Sequence, residues 1–298
     1  MLTDIKNITF DLELSEGAFN AINTCLRLKP SERITIITDE ESAEIAASLL
    51  NEIEKVGSAY SVFVLEDYAI RPLTNMPQVI LDDLAKSQVS IFACFTQTGE
   101  LGSRIQMTSV INRHKIRHGH MVNISKQIML EGMRADFLAI DALSTRLVNK
   151  ARETKYIRAT TKAGTDFVAE FSPNLNWIKT SGIISPDKWG NLPGGEIFTS
   201  PYNFNGLFVV DGVVGDYLCK KYGDIKETPL SIEIVDSRIK KMWCDNSELL
   251  DEFTAYTMTD ENSNRVGEFA IGTNIAVKNV IGNILQDEKI PGIHIAFG

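Results

Sequence analysis

The sequence predicts an α/β protein in which an N-terminal layered α/β domain with a mostly parallel sheet precedes a β-rich α+β domain. From about residue 15 to residue 150, segments with helical spacing alternate with short apolar runs, which is typical of a parallel sheet covered by helices. Beyond Ile157, strand-like segments follow one another with turns between them. A length of 298 residues allows two cores. We therefore predict domains at 1–155 and 156–298.

The elements of the N-terminal domain follow from hydrophobic periodicity. Strands are expected at 33–38, 60–65 and 89–95, and helices at 15–26, 41–56, 77–86 and 136–151. The segment 96–102 (TQTGELG) has two glycines after a strand but matches neither GxGxxG nor GK[ST]. It is therefore interpreted as a connection between a strand and a helix, and nucleotide binding is the weakest of the functional alternatives.

The C-terminal domain is expected to be built from hairpins. Residues 160–171 predict two strands around a glycine-containing turn, and 231–235 and 238–243 predict another pair. Asp211-Gly212, inside an apolar run, indicates a hairpin with a type I′ turn over 208–214. A helix is predicted over 248–257.

Charge and cysteine content exclude several classes of function. The net charge of −9 argues against a nucleic-acid partner, which needs clustered Lys and Arg. The short basic segment 113–120 is interpreted as a solvated loop or helix end beside a strand. Four widely spaced cysteines form no CxxC pair, which favours a reducing cytoplasm over a zinc knuckle or a disulfide framework. The sequence shows no secretory signal peptide and no apolar segment long enough to span a membrane.

Three side chains in strand-like settings suggest a divalent-metal site. Glu196 follows two glycines and opens an extended run, whereas Glu268 is the single charge within an apolar segment, where burial is costly unless the charge is paired or coordinated. Strand alternation places His294 opposite Ile293, Ile295 and Phe297, next to the small Ala296. Two carboxylates and an imidazole are typical ligands of zinc and similar ions.

The segments around these residues resemble the aminopeptidase T family of metallo-aminopeptidases, which includes the AmpS and PepS enzymes. NLPGGEIFTSP (191–201) is similar to the first glutamate motif of the family, and RVGEFAIGTN (265–274) is similar to the second. DEKIPGIHIAFG (287–298) resembles the first histidine motif. Three ordered matches are far more specific than one short motif.

The resemblance implies a cytoplasmic, homodimeric exopeptidase that removes N-terminal residues from short peptides by metal-activated water. Paired divalent ions, such as zinc or cobalt, are implied to be held by Glu196, Glu268 and His294. Either Glu196 or Glu268 is alternatively the catalytic general base, and the sequence does not separate these roles.

The family continues after the histidine motif with a tyrosine and a His-x-Asp pair, whereas this sequence ends at Gly298. We expect a truncated form of a longer protein, with a catalytically degenerate homologue as the alternative. A ring-cleaving dihydroxypyridine dioxygenase is also similar to this family. The second functional hypothesis is therefore a non-haem iron dioxygenase, in which ferrous iron is bound by His294 and a later His-x-Asp pair.

Overall fold

The apolar runs of the N-terminal half form one parallel sheet in the computed structural model, which describes residues 2–298. The strands, in chain order, are β1 (Arg33–Thr38), β2 (Ala59–Val64), β3 (Val89–Cys94), β4 (Arg117–Val122), β5 (Tyr156–Thr160), β6 (Asp166–Glu170), β7 (Ile178–Thr180), β8 (Gly190–Asn191), β9 (Glu196–Thr199), β10 (Asn203–Val210), β11 (Leu230–Val235), β12 (Arg238–Trp243), β13 (Val266–Gly272) and β14 (Ile293–Phe297). The parallel sheet has the order β2-β1-β3-β4-β8.

Two antiparallel sheets make up the rest of the strand structure. Their orders are β12-β11-β10-β6-β5 and β14-β13-β9-β7. We refer to the second of these as the site sheet. The predicted fold class, a parallel α/β part followed by a β-rich α+β part, is confirmed.

The helices lie mostly where the periodicity predicts them. They are α1 (Ser15–Phe19), which continues as a π-helical segment (Asn20–Cys25), α2 (Ala43–Val56), α3 (Gln78–Leu84), α4 (Leu101–His114), α5 (Lys126–Leu130), α6 (Phe137–Ala151), α7 (Asp216–Tyr222), α8 (Ser247–Tyr256) and α9 (Ile284–Asp287). Short 3₁₀ turns occupy Ile5–Asn7, Leu12–Leu14, Leu65–Asp67 and Gly132–Arg134. Within residues 2–298, no helix combines the length and the apolar character required to cross a bilayer.

The predicted tight hairpin over 208–214 is wrong. Strand β10 ends at Val210, and the chain then turns into α7 before it returns as β11, the antiparallel neighbour of β10. Gly212 does not take the positive φ angle that a type I′ turn requires. An Asp-Gly pair after a strand is equally compatible with a turn that leads into a helix.

The chain divides into two compact units. One contains the described residues up to Asp141 together with Gly182–Gly194, and the other contains Ala142–Ser181 and Gly195–Gly298. The second unit has an aromatic core in which Phe167, Phe204 and Phe269 are fully buried. The ring centroids of Phe167 and Phe204 lie 4.5 Å apart. The antiparallel sheets therefore belong to a unit with its own hydrophobic core.

A buried pair of histidines lies on β4 in the first unit. His118 Nδ1 is 2.8 Å from Ser90 Oγ, and His118 Nε2 is 3.1 Å from His120 Nδ1. Burial lowers the pKa of His120 to about 3, with a smaller contribution from the positive charge of Arg104. Burial also lowers the pKa of His118 well below its ordinary value. Both imidazoles are therefore neutral in the folded protein at physiological pH.

We expect these histidines to make the protein sensitive to mild acid. The unfolded chain takes up protons near pH 6.5 and the folded chain does not, so stability falls as the pH decreases from about 6.5 towards 3. Each histidine contributes about 1.4 kcal/mol per pH unit well below pH 6.5. Urea unfolding between pH 7 and pH 5 measures this slope. His120→Gln should reduce it by about half, whereas His114→Gln, at an exposed position, should leave it unchanged; equal slopes in both variants would contradict the assignment.

Candidate metal centre

Glu196 is positioned by the backbone that precedes it. Gly195 has a φ angle of 131°, and a Cβ atom there would lie 2.6 Å from the Cβ atom of Asn274. Its amide donates to the carbonyl oxygen of Thr180, and its carbonyl oxygen accepts from the amide of Thr273, each at 2.7 Å. Because only glycine fits this close approach without strain, Gly195 fixes the point at which β9 begins.

The site sheet brings the three predicted ligands onto neighbouring strands. Glu196 begins β9, Glu268 lies on β13, and His294 lies on β14. Strand β13 is the common neighbour of β9 and β14. Three segments that are far apart in sequence thus place their side chains at one point of the sheet.

The geometry of this point centres on the imidazole of His294. Its Nε2 atom is 3.4 Å from Glu196 Oε2 and 3.4 Å from Glu268 Oε1. Among the residues that the structure describes, this buried nitrogen has no hydrogen-bond partner. Both separations are longer than a good N–H···O hydrogen bond. A buried polar atom that faces two carboxylates without a close contact is the arrangement expected of a metal ligand.

Two further residues of the centre were missed in the sequence. Ligand atoms of Glu196, Glu288 and His294 all lie within 4.8 Å of one another. Lys289 is fully buried, and its Nζ atom donates to Glu288 Oε1 at 2.5 Å and to Glu196 Oε1 at 2.6 Å. Charged residues in a DEK sequence ordinarily lie on a solvated surface, so composition gave no reason to place Lys289 inside with Glu288 partly buried beside it.

Burial and neighbouring charges shift the pKa values of both residues. Burial raises the pKa of the Glu288 carboxyl group, an effect that the positive charge of Lys289 only partly offsets. For Lys289, burial acts to lower the pKa, but the negative charges of Glu288 and Glu196 outweigh it and leave the pKa above its ordinary value. The lysine is therefore an ammonium group in the neutral pH range.

These residues fit a divalent metal ion. Tetrahedral ligands at about 2.1 Å from an ion lie about 3.4 Å from one another. The distances from His294 Nε2 to Glu196 Oε2 and Glu268 Oε1 have this value. One imidazole and two carboxylates are also a donor set that zinc and similar ions accept. The side chains that would hold the ion are the imidazole of His294 and the carboxylates of Glu196, Glu268 and Glu288 that surround it.

Comparison with known proteins identifies the family. A family model described as thermophilic metalloprotease (M29) matches residues 142–298, more than half of the chain. The chain belongs to this M29 family. Its resemblance to the aminopeptidase T enzymes is thereby confirmed, and so is its general character as a metal-dependent peptidase with a divalent-metal site. A comparison with curated protein sequences gave no match.

Solved structures share the fold of this M29 protein. Wild-type AmpT from Thermus thermophilus is similar with a TM-score of 0.66 and 16% identity, over 96% of this chain and 85% of that chain. The 2,5-dihydroxypyridine dioxygenase from Pseudomonas putida KT2440 is similar with a TM-score of 0.64 and 11% identity, over 87% of this chain and 76% of that chain. At these identities the likeness establishes the fold.

Proposed function

We propose that this protein is a metal-dependent aminopeptidase that releases N-terminal residues from short peptides. The observation that carries the proposal is the convergence of Glu196 Oε2 and Glu268 Oε1 on the Nε2 atom of His294, which has no hydrogen-bond partner within residues 2–298. Membership of the M29 family and the fold shared with AmpT support the same assignment. When bound, a divalent ion supplies Lewis-acid chemistry, because it polarises a carbonyl group and lowers the pKa of a water molecule.

The contacts of Glu196 and Glu268 indicate which of them are metal ligands and which could be the general base. Glu196 Oε1 accepts from Lys289 Nζ at 2.6 Å and from Thr180 Oγ1 at 3.0 Å. These bonds hold the carboxylate in one orientation, with Oε2 towards His294. Glu268 approaches the same nitrogen from β13. We assign Glu196 and Glu268 as metal ligands together with His294, rather than as the general base.

Glu288 is the carboxylate best suited to proton transfer. A general base works best when its pKa is close to the operating pH, and burial moves the pKa of Glu288 upwards, towards that range. Its Oε1 atom accepts a hydrogen bond from Lys289, which orients the group beside the ligands. We assign Glu288 the uptake of a proton from the attacking water and its delivery to the departing amine.

The assignment of Glu288 can be tested directly. At saturating zinc or cobalt, Glu288→Gln should lower kcat for release of an N-terminal residue by at least about 100-fold, because proton transfer by a positioned group contributes that much. Zinc should still bind, because Glu196, Glu268 and His294 are unchanged. Glu261→Gln, at an exposed position, is the matched control. Unchanged kcat in Glu288→Gln would overturn the assignment.

Measurements of peptide hydrolysis and oxygen consumption together distinguish the aminopeptidase from the iron dioxygenase hypothesis. The fold is shared with a dioxygenase, so anaerobically purified protein should also be tested for bound ferrous iron and for oxygen consumption with a hydroxylated pyridine. We expect metal-dependent release of N-terminal residues and no oxygen uptake. Oxygen uptake without peptide hydrolysis would show that the protein is an oxygenase and not a peptidase.

The location and the assembly predicted from the sequence remain part of the proposal. All four cysteines are free, and three of them are buried: Cys25, Cys94 and Cys219. Free thiols are compatible with a reducing, cytoplasmic compartment. A homodimer is proposed on the resemblance to the aminopeptidase T family, and light scattering measures it.

A further inference from the structure

The positive charge of Lys289 has no part in the roles proposed for Glu196, Glu268, Glu288 and His294. Its side chain has no exposed surface, and its ammonium group lies between two carboxylates of the centre. A buried ammonium group is costly unless it is paired and hydrogen-bonded, and both of these carboxylates provide such pairing. A positive charge therefore lies next to the carboxylates of the metal centre, where the negative charge of the site is concentrated.

Glu196 faces two cation positions at once. Its Oε1 atom lies 2.6 Å from Lys289 Nζ, whereas its Oε2 atom points towards His294 Nε2. In centres that hold two metal ions, the ions lie about 3.5–4 Å apart and act as a pair on the reacting group. Each oxygen of the Glu196 carboxylate could therefore face one cation, and the ammonium group of Lys289 is the cation beside Oε1.

The charges of the centre lead to the same conclusion. Glu196, Glu268 and Glu288 contribute three negative charges, and Lys289 contributes one positive charge, so the net charge is −2 when the imidazole is neutral. One divalent ion neutralises this charge. A second divalent ion would leave a net charge of +2 in a partly buried site, which is electrostatically unfavourable.

We propose that Lys289 is a built-in cation of the centre, which occupies the position between Glu196 and Glu288 and limits these residues to one divalent ion. This inference rests on the proposed function, because it requires that Glu196, Glu268 and His294 bind a metal. It departs from the pair of ions that the family resemblance implies.

Calorimetric titration with zinc chloride, after removal of metal with EDTA, tests the inference. Wild-type protein should bind one equivalent of zinc. Lys289→Met removes the charge from a side chain of similar length, and this variant should bind two equivalents, the first at least about tenfold more tightly. Lys289→Arg keeps the charge and should still bind one equivalent.

The outcomes separate this inference from the proposed function. A wild-type protein that binds no zinc contradicts the proposed function, whereas two equivalents on the wild type overturn the inference alone. A Lys289→Met variant with a native circular dichroism spectrum that binds one equivalent, no more tightly than the wild type, also overturns it.

A second variant keeps the inference testable if Lys289→Met does not fold. Glu288→Gln/Lys289→Met removes one charge of each sign, so the net charge of the centre stays at −2. This double variant should bind one equivalent of zinc with an affinity within about tenfold of the wild type, because the charge of the centre is the same. A folded double variant that has lost zinc binding would show instead that the ammonium group is needed to hold the ligands, and would overturn the inference.

Discussion

Replacing Glu196 by glutamine is expected to weaken zinc binding by at least about 100-fold, more than the loss of a group that only supports a ligand. The glutamine side chain keeps the shape of the glutamate, and its carbonyl oxygen can still accept from Lys289 and Thr180. The atom directed towards His294 then becomes an amide nitrogen, which does not bind zinc. Calorimetry measures the change in affinity, and circular dichroism checks that the fold is retained.

A matched control for Glu196→Gln lies on another sheet in the same unit. Glu233, on β11, is exposed, and Glu233→Gln removes the same charge away from the centre. Zinc affinity should be unchanged in this variant. Equal zinc affinities in the two variants and the wild type would remove Glu196 from the ligand set.

Replacing Arg71 by methionine is expected to lower the free energy of unfolding by about 3–5 kcal/mol, the usual cost of removing one partner from a buried ionic group. The Arg71 side chain is 5% exposed and pairs with Asp39 at 2.7 Å and with Glu100 at 2.6 Å. Both of these carboxylates are almost fully buried. Without the guanidinium group their charges lose a buried partner, in a position where water cannot replace it.

Urea unfolding measures the loss, and an exposed ion pair provides the control. Arg158 pairs with Asp166 at 2.9 Å, but both side chains are more than half exposed. Surface pairs of this kind contribute little to stability, so Arg158→Met should unfold at nearly the wild-type urea concentration. A similar loss of stability in both variants would show that the burial of Arg71 is not what makes its contacts important.

The elements that could be predicted from the sequence are those with strong periodicity. Strands such as β1 and β3 are short, mostly apolar runs, and α2 has a broad apolar face, so these elements lie within two residues of the prediction. Helix α4 was missed because its buried positions, Ser103, Met107 and Ile111, form a narrow stripe among polar residues. A weak amphipathic pattern is not distinguishable from a loop by periodicity alone.

The candidate site could be predicted only in part, for a related reason. Glu196, Glu268 and His294 lie in motifs with a specific resemblance, and the structure brings all three together. Lys289 and Glu288 belong to the quoted histidine motif, but the burial of Lys289 depends on contacts with residues distant in the chain. The carbonyl oxygen of Lys289, for example, accepts from the amide of Asn274 at 2.9 Å. Local sequence carries no signal for such tertiary burial.

Crystals soaked in zinc and measured at the zinc absorption edge show directly whether Glu196, Glu268 and His294 bind the ion. An anomalous peak is expected at about 2.0–2.2 Å from His294 Nε2, Glu196 Oε2 and Glu268 Oε1. Occupied zinc sites elsewhere on the protein, with these three atoms free of metal, would show that these residues do not form the metal site.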